Sequence, residues 1–219
     1  TYSPDNDVIV SAARQDYEVF YNAEIHMRRL RRCPPFADMF TLTVSGMEEA
    51  EAKVRLALDE IRTGLVLRVK HYEDVDFVEI VSRYAMDCPQ LVMEQPQITV
   101  KTYPENAADR VVELRFTYQT GRDSLRSMRA QVEPVFESAL LYVSGDGSAG
   151  EKYAQLYSFL MERYDYQVVS SITPAYSLLR HGVGDSKALS CVYSAMCRQA
   201  GLECLVVSGT YDGESRYWN

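Results

Sequence analysis

Cysteine is scarce and poorly spaced for cross-links. The 219-residue chain holds five, Cys33, Cys88, Cys191, Cys197 and Cys204, with no C-x-x-C pair and an odd total. That argues against a disulfide framework and a structural zinc site, and leaves buried free thiols as the reading. Histidine is scarcer still: His26, His71 and His181 are the only candidates for an imidazole base. No cofactor motif and no metal-ligand spacing stands out, so neither a cofactor nor a metal is expected. Long apolar runs are missing, which excludes a helical membrane span, and no signal-like leader opens the chain. An excess of positive charge is missing too. The net charge is −8 and the pI about 5.0, so nucleic acid or an anionic membrane would have to be held by a local patch. No repeat or low-complexity segment is visible. Tryptophan occurs once against sixteen tyrosines, a residue that serves half-buried in cores and at partner surfaces.

What is present has the composition of a globular protein, 47% apolar and 25% charged. Residues 11–32 carry Ala13, Tyr17, Phe20, Tyr21, Ile25 and Leu30 at helical spacing, and the prolines of "CPPF" (33–36) end that helix. "MFTLTVSG" (39–46) alternates as a strand. Residues 47–64 read as a helix with Gly64 as its C-cap, and 65–72 as a strand. A short helix precedes Pro89. Residues 97–104 and 110–120 make a hairpin around "ENAAD", and 123–143 a long helix. "SGDGSAG" reads as a flexible connector, followed by a helix over 151–166. In "RHGVGDSKALSCVYSAMCRQAGLECLVVSG" (180–209) a Gly-punctuated turn leads into a core helix. That helix is predicted from Ser186 to Arg198 or Ala200, with Leu189, Val192, Tyr193 and Met196 facing inward. A strand is expected over 203–208, beside one begun by Tyr217 and Trp218. The pattern is α+β and does not alternate regularly enough for a doubly wound sheet.

Two stretches carry resemblances. "TYSPDNDVI", "QDYEVFYNAEIHMRR" and "PPFADMFTLTVSG", together residues 1–46, resemble the start of the C-terminal domain of the bacterial primosomal replication-restart helicase. In that family the domain engages forked DNA and single-strand-binding protein. The ATP-binding motifs are absent here, so no helicase activity is implied. Arg28, Arg29, Arg31 and Arg32 form a local basic run suited to phosphates, or simply a solvated helix end. From about Glu48 onward the chain resembles transglutaminase-like proteins of Gram-positive bacteria. The carriers are "EEAEAKVRLALDEIRTGLVLRVKHYEDVDFVEIVSRYAMDCPQLV", "FTYQTGRDSLRSMRAQVEPVFESAL", "EKYAQLYSFLMERYDYQ" and "RHGVGDSKALSCVYSAMCRQAGLECLVVSGTYDGESRYWN". The resemblance implies a papain-like fold with a Cys-His-Asp triad, divided into an N-terminal α+β region (47–120) and a core (121–219). Both ends read as cut, and the core as C-terminally incomplete.

Carried over residue by residue, the family's nucleophile position falls on Ser186 and its base position on Arg216. The third triad member lies beyond Asn219. Asp185, Tyr217 and Trp218 line the implied cleft. A helix N-terminus favours a thiolate, but it does little for a serine hydroxyl, which needs an adjacent base. Arg216 is always protonated and accepts nothing. Ser186 therefore reads as the remnant of a nucleophile, with Asp185 or Ser186 capping the helix. Cys191 is about 140° round the helix from Ser186 and does not replace it. The leading expectation is a non-catalytic module of transglutaminase-like fold that binds a peptide or cell-wall glycan. The competing readings are a hydrolase or acyl transferase using Ser186, and a restart-helicase fragment that binds DNA or protein. The change of resemblance near Gly46 reads as a chimera of two genes. As it stands the chain reads as cytoplasmic, although full-length transglutaminase-like relatives are often exported.

Overall fold

The computed structural model describes residues 10, 13–30 and 41–219. The expected helix stop at Cys33, Pro34 and Pro35 falls outside those residues, as do Arg31 and Arg32. The chain divides into two compact units, Thr1–Leu42 and Thr43–Asn219. In the first, helix α1 (Tyr17–Leu30) forms within the span of helical spacing and buries none of its residues. Tyr17 stacks on Tyr21 with ring centroids 5.9 Å apart, and Arg28 Nε donates to Glu24 Oε1 at 2.8 Å. An exposed i,i+4 pair of this kind contributes only a few tenths of a kcal/mol.

One half of the second unit is built on a four-stranded sheet. Strands β1 (Thr41–Val44), β2 (Gly64–Val69), β3 (Gln97–Tyr103) and β4 (Arg110–Thr117) lie in the order β1-β2-β4-β3. The Thr43–Val44 end of β1 belongs to this unit, and Lys70 N donates to Val44 O at 3.0 Å. Strand β4 pairs antiparallel with β2 and β3, with Leu67 opposite Val112 and Leu114 opposite Val100. The period of two sends Leu65, Leu67, Val69, Val112, Leu114 and Phe116 to one face, and all six are buried. Helix α2 (Met47–Asp59) packs on β2 and buries Ala50, Val54, Ala57 and Leu58. Helix α3 (Phe77–Asp87) starts where the Asp76 carboxylate accepts from Val78 N at 2.8 Å and Glu79 N at 3.2 Å.

The stop of α2 departs from expectation. Gly64 opens β2, and the helix ends four residues earlier, at Glu60. Ile61 then takes φ 52°, with Ile61 N on Leu58 O and Arg62 N on Ala57 O. This is a Schellman closure with a β-branched residue where glycine is usual. The left-handed backbone costs on the order of 1–2 kcal/mol. Burial of the Ile61 side chain in the core, 5% exposed, offsets it.

The other half is helical. Helices α4 (Arg122–Tyr142), α5 (Ala149–Met161) and α6 (Pro174–His181) surround α7 (Ser186–Gln199). Their contact surfaces make one cluster that includes Val132, Phe136, Leu156, Leu160, Leu178, Val192 and Met196. Pro134 lies inside α4, which continues through it because Val132, Phe136 and Ala139 are buried on either side. The "SGDGSAG" connector is fastened at both ends. Ser148 and Glu151 form a reciprocal capping box, and Ser144 exchanges hydrogen bonds with the Gln155 side chain. The helix expected to reach 166 ends at Met161. Asp165–Tyr166 instead form β5, parallel to β6 (Val183–Gly184).

Strands β7 (Val207–Tyr211) and β8 (Glu214–Trp218) form an antiparallel hairpin across Asp212 and Gly213, at φ 50° and 77°. An Asp-Gly pair with both φ positive is the preferred two-residue hairpin turn. The strand predicted over 203–208 therefore begins at Val207, and Tyr217 and Trp218 close β8 rather than begin it. Side chains take the backbone groups just before β7: Tyr153 Oη donates to Glu203 O and Ser194 Oγ to Cys204 O.

Leu178 is fully buried beside α7, whereas Leu205 is 75% exposed. Leu178→Ala is expected to lower the unfolding free energy by about 2–5 kcal/mol. Leu205→Ala should change it by less than about 0.5 kcal/mol. Urea unfolding of both variants measures the difference.

Candidate functional site

The start of α7 is assembled by three residues of the turn before it. Gly182 ends α6 in the left-handed region at φ 82°. Gly184 fits because a Cβ there would come within 3.0 Å of Leu178 Cδ1 and 3.1 Å of Ala188 Cβ. Asp185 is the N-cap, its Oδ1 accepting from Ala188 N at 2.8 Å. Ser186 is the first helical residue and half-buried. Its Oγ accepts a hydrogen bond from Tyr217 N at 3.2 Å. The hydroxyl thus serves as a strand partner for the edge of β8.

Arg216 precedes that amide. Its guanidinium donates to Glu214 Oε2 at 2.6 Å and to the Tyr166 hydroxyl. Its Cζ lies 5.5 Å from the Tyr166 ring centroid. Lys187 Nζ sits 5.6 Å above the Tyr217 ring. Of the histidines, His26 is on α1 and His71 follows β2. His181 is exposed at the end of α6, its ring edge-on to Tyr176 at 5.9 Å. Among the described residues no imidazole is hydrogen-bonded to Ser186.

Nor do the thiols of α7 supply a nucleophile. Burial pushes the Cys191 thiol up to about 11 and the Cys197 thiol up to about 12. Both are protonated at neutral pH and stand away from the first turn, so neither serves as a thiolate at the start of the helix. Cys191 is fixed in the helix interior. Among the described residues no cluster of three or more His, Cys, Asp or Glu is arranged to hold a metal.

Two cavities flank the start of α7. The larger, about 590 Å³, lies between α5, α7 and β8 and is faced by Tyr153, Tyr157, Tyr193, Tyr217 and Trp218. Tyr157 and Tyr193 meet edge to face at 6.5 Å, and Tyr193 Oη donates to Tyr153 O at 3.0 Å. Trp218 lies over Gly209: a Cβ there would come 2.6 Å from Trp218 Cη2 and push the indole aside. The smaller cavity, about 280 Å³, is faced by Glu94, Gln119, Ile172, Asp185, Lys187 and Cys191. Glu94 is buried, its two oxygens accepting from Gln119 N at 2.6 Å and Thr120 N at 2.9 Å. Ser186 lines neither cavity.

The residues singled out in the sequence therefore separate. Ser186, Tyr217 and Arg216 come together where α7 meets β8. Tyr217 and Trp218 face the larger cavity, and Asp185 the smaller. Arg28 and Arg29 occupy the last turn of α1, in the first unit. Tyr153, Tyr157 and Glu94 were not anticipated at a site. The i,i+4 spacing of the two tyrosines was the signal for a shared helix face. Glu94 carries no local signal, because its partners lie 25 and 26 residues away.

Residues 139–219, from the last turn of α4 through β8, match the family model described as the transglutaminase-like superfamily. The chain carries a transglutaminase-like domain over those residues, and this domain contains both Ser186 and Arg216. Comparison with curated proteins and with solved structures gave no match.

Two outcomes test this geometry. Asp185→Ala removes the cap of a buried helix and should cost about 1 kcal/mol of stability in thermal or urea unfolding. The raised thiol pKa of Cys191 sets a pH dependence. An unfolded cysteine ionises near pH 8.5, so the unfolded state loses its proton first as pH rises. Stability from this residue is complete below that pH and declines between about 8.5 and 11, by about 3 kcal/mol in all. Cys191→Ala should flatten the alkaline fall of the unfolding free energy measured across that range.

Proposed function

We propose that the transglutaminase-like domain is non-catalytic and acts as a binding module, with the larger cavity as its peptide or glycan groove. Ser186 and Arg216 stand at the positions of the family's nucleophile and base. One observation carries the reading: the Ser186 hydroxyl is engaged by a backbone N–H, and the side chain beside it is a guanidinium already paired with Glu214 and Tyr166. Acyl transfer needs a nucleophile that sheds its proton and a neighbour that takes it. Neither residue does so at neutral pH. The groove has the character of a binding surface. Its ring faces offer flat apolar area to a sugar ring or an apolar side chain, while hydroxyls and the Asn219 amide border it.

Amidase and transglutaminase assays should show no turnover above background for the wild type, and Ser186→Ala should leave that result unchanged. Turnover that disappears in Ser186→Ala would sink the reading. Binding has an intrinsic reporter, because Trp218 is the single tryptophan and faces the groove. Soluble cell-wall glycan fragments or short peptides that occupy it should shift the tryptophan emission saturably. Tyr157→Ala should weaken that response at least tenfold.

A further inference from the structure

Cys197, in the last turn of α7, and Cys204, in the segment that follows it, pack into the same core cluster. The backbone brings them together. Gly201, at φ 76°, turns the chain back at the end of α7, and Leu202 N donates to Cys197 O at 2.9 Å. Ser194 Oγ then donates to Cys204 O at 3.0 Å, and Tyr153 Oη to Glu203 O at 2.5 Å. The segment 202–204 is thereby pinned along the last turn of the helix, on the side where the Cys197 side chain lies. Cys197 is fully buried, and Cys204 packs against the same core cluster while keeping partial exposure. Cys88 and Cys191 have no such thiol neighbour among the described residues; charged groups and tyrosine surround them instead.

We propose that Cys197 and Cys204 are a modification site, converted by a two-electron oxidant of the peroxide class into a disulfide that ties α7 to the segment leading into β7. Cys204, the accessible member, reacts first. Its sulfur attacks one peroxide oxygen, the O–O bond breaks, and the departing oxygen takes the thiol proton and leaves as water. The product is a sulfenic acid. The Cys197 sulfur then displaces the hydroxyl group: an S–S bond forms, the S–O bond breaks, and the second water leaves with the Cys197 proton. Two thiols are oxidised and one peroxide is reduced to two waters. Side chains packed into one cluster across a short turn need little backbone movement to reach disulfide geometry. This site is independent of whether Ser186 is inert, and it gives Cys197 a role beyond packing.

The test treats the full chain with hydrogen peroxide, quenches, and counts free thiols under denaturing conditions. The expected result is that three of the five thiols remain, the intact mass falls by two hydrogens, and peptide mapping finds Cys197 joined to Cys204. Dithiothreitol should restore all five. The bridge should raise Tm by about 5 °C, as a short closed loop does. Cys204→Ser alters a partly exposed side chain and should abolish both the mass change and the Tm shift. Cys191→Ser should retain the bridge, which separates the two cysteines that share a tryptic peptide. Five surviving thiols, a bridge to any other cysteine, or over-oxidation of Cys204 with Cys197 still reduced would each overturn the proposal.

Discussion

Helix α7 is buried on nearly every side, and the remainder of the helical half is arranged to satisfy that. Ala188 and Ser190 to Val192 are inaccessible, as are Ser194 to Cys197. Positions so close together point in all directions around the helix, so one covering layer does not suffice. Helices α4, α5 and α6 pack against it, and the hairpin closes part of the remaining side. Each fully buried side chain such as Val192 or Met196 contributes roughly 1.5–3 kcal/mol. The polar members are then obligations: Ser194 Oγ is buried and has to find Cys204 O. Arg198, near the C-terminal end, carries the same constraint outward to the sheet half. It donates to the Asp87 carboxylate at 2.8 Å and to the Asp87 carbonyl, which joins α7 to the end of α3.

A central helix of this kind presents its N-terminus at a protected place. The partial positive charge there favours an anion and lowers the pKa of a thiol placed on the first turn. Asp185 already supplies a carboxylate that answers both the dipole and one free amide. Ser186 holds a group that the dipole cannot ionise at neutral pH. The same position that can activate a thiol thus serves here as a joint, with the hydroxyl accepting from β8. A thiol placed at Ser186 would still find no base in Arg216, which is held by Glu214 and Tyr166 and offers no lone pair.

The sequence made α7 legible because its signals are local and agree: a capping aspartate, apolar residues at helical spacing, and a glycine just past the end. The pairing of β3 with β4 was legible as a hairpin of two strand-like runs on either side of "ENAAD". Misread elements share a different cause. Helix α2 ends at Glu60 rather than Gly64 because burial of Ile61 just past the cap outweighs a backbone preference, and no spacing rule expresses that trade. Strand β7 starts late because the carbonyls of Glu203 and Cys204 are claimed by Tyr153 and Ser194, which stand 50 and 10 residues back in the chain. The Ser186 site was legible as residue types, through resemblance, but not as geometry: its deciding contact spans 31 residues and uses a backbone amide that has no sequence identity.

The hairpin that walls the larger cavity meets α7 along β8. Its polar ties to α7 include Tyr217 N to Ser186 Oγ and Asn219 Nδ2 to Ser190 O at 3.0 Å. Hydrogen bonds of this kind contribute about 0.5–1.5 kcal/mol each. Val207, Tyr211 and Trp218 remain exposed, so little apolar burial adds to them. Regions held by few buried contacts open at lower free energy than the core around them. The larger cavity is bounded on one side by α5 and α7, which carry buried core residues, and on the other by a hairpin with several exposed apolar side chains. On the proposed binding role, a ligand held between Tyr157 and Trp218 would join the two, and its binding free energy would add to the stability of the closed hairpin. On that proposed role, occupancy and local order at this wall form a single equilibrium, and the bond from Tyr217 N to the Ser186 hydroxyl is one of those that set it.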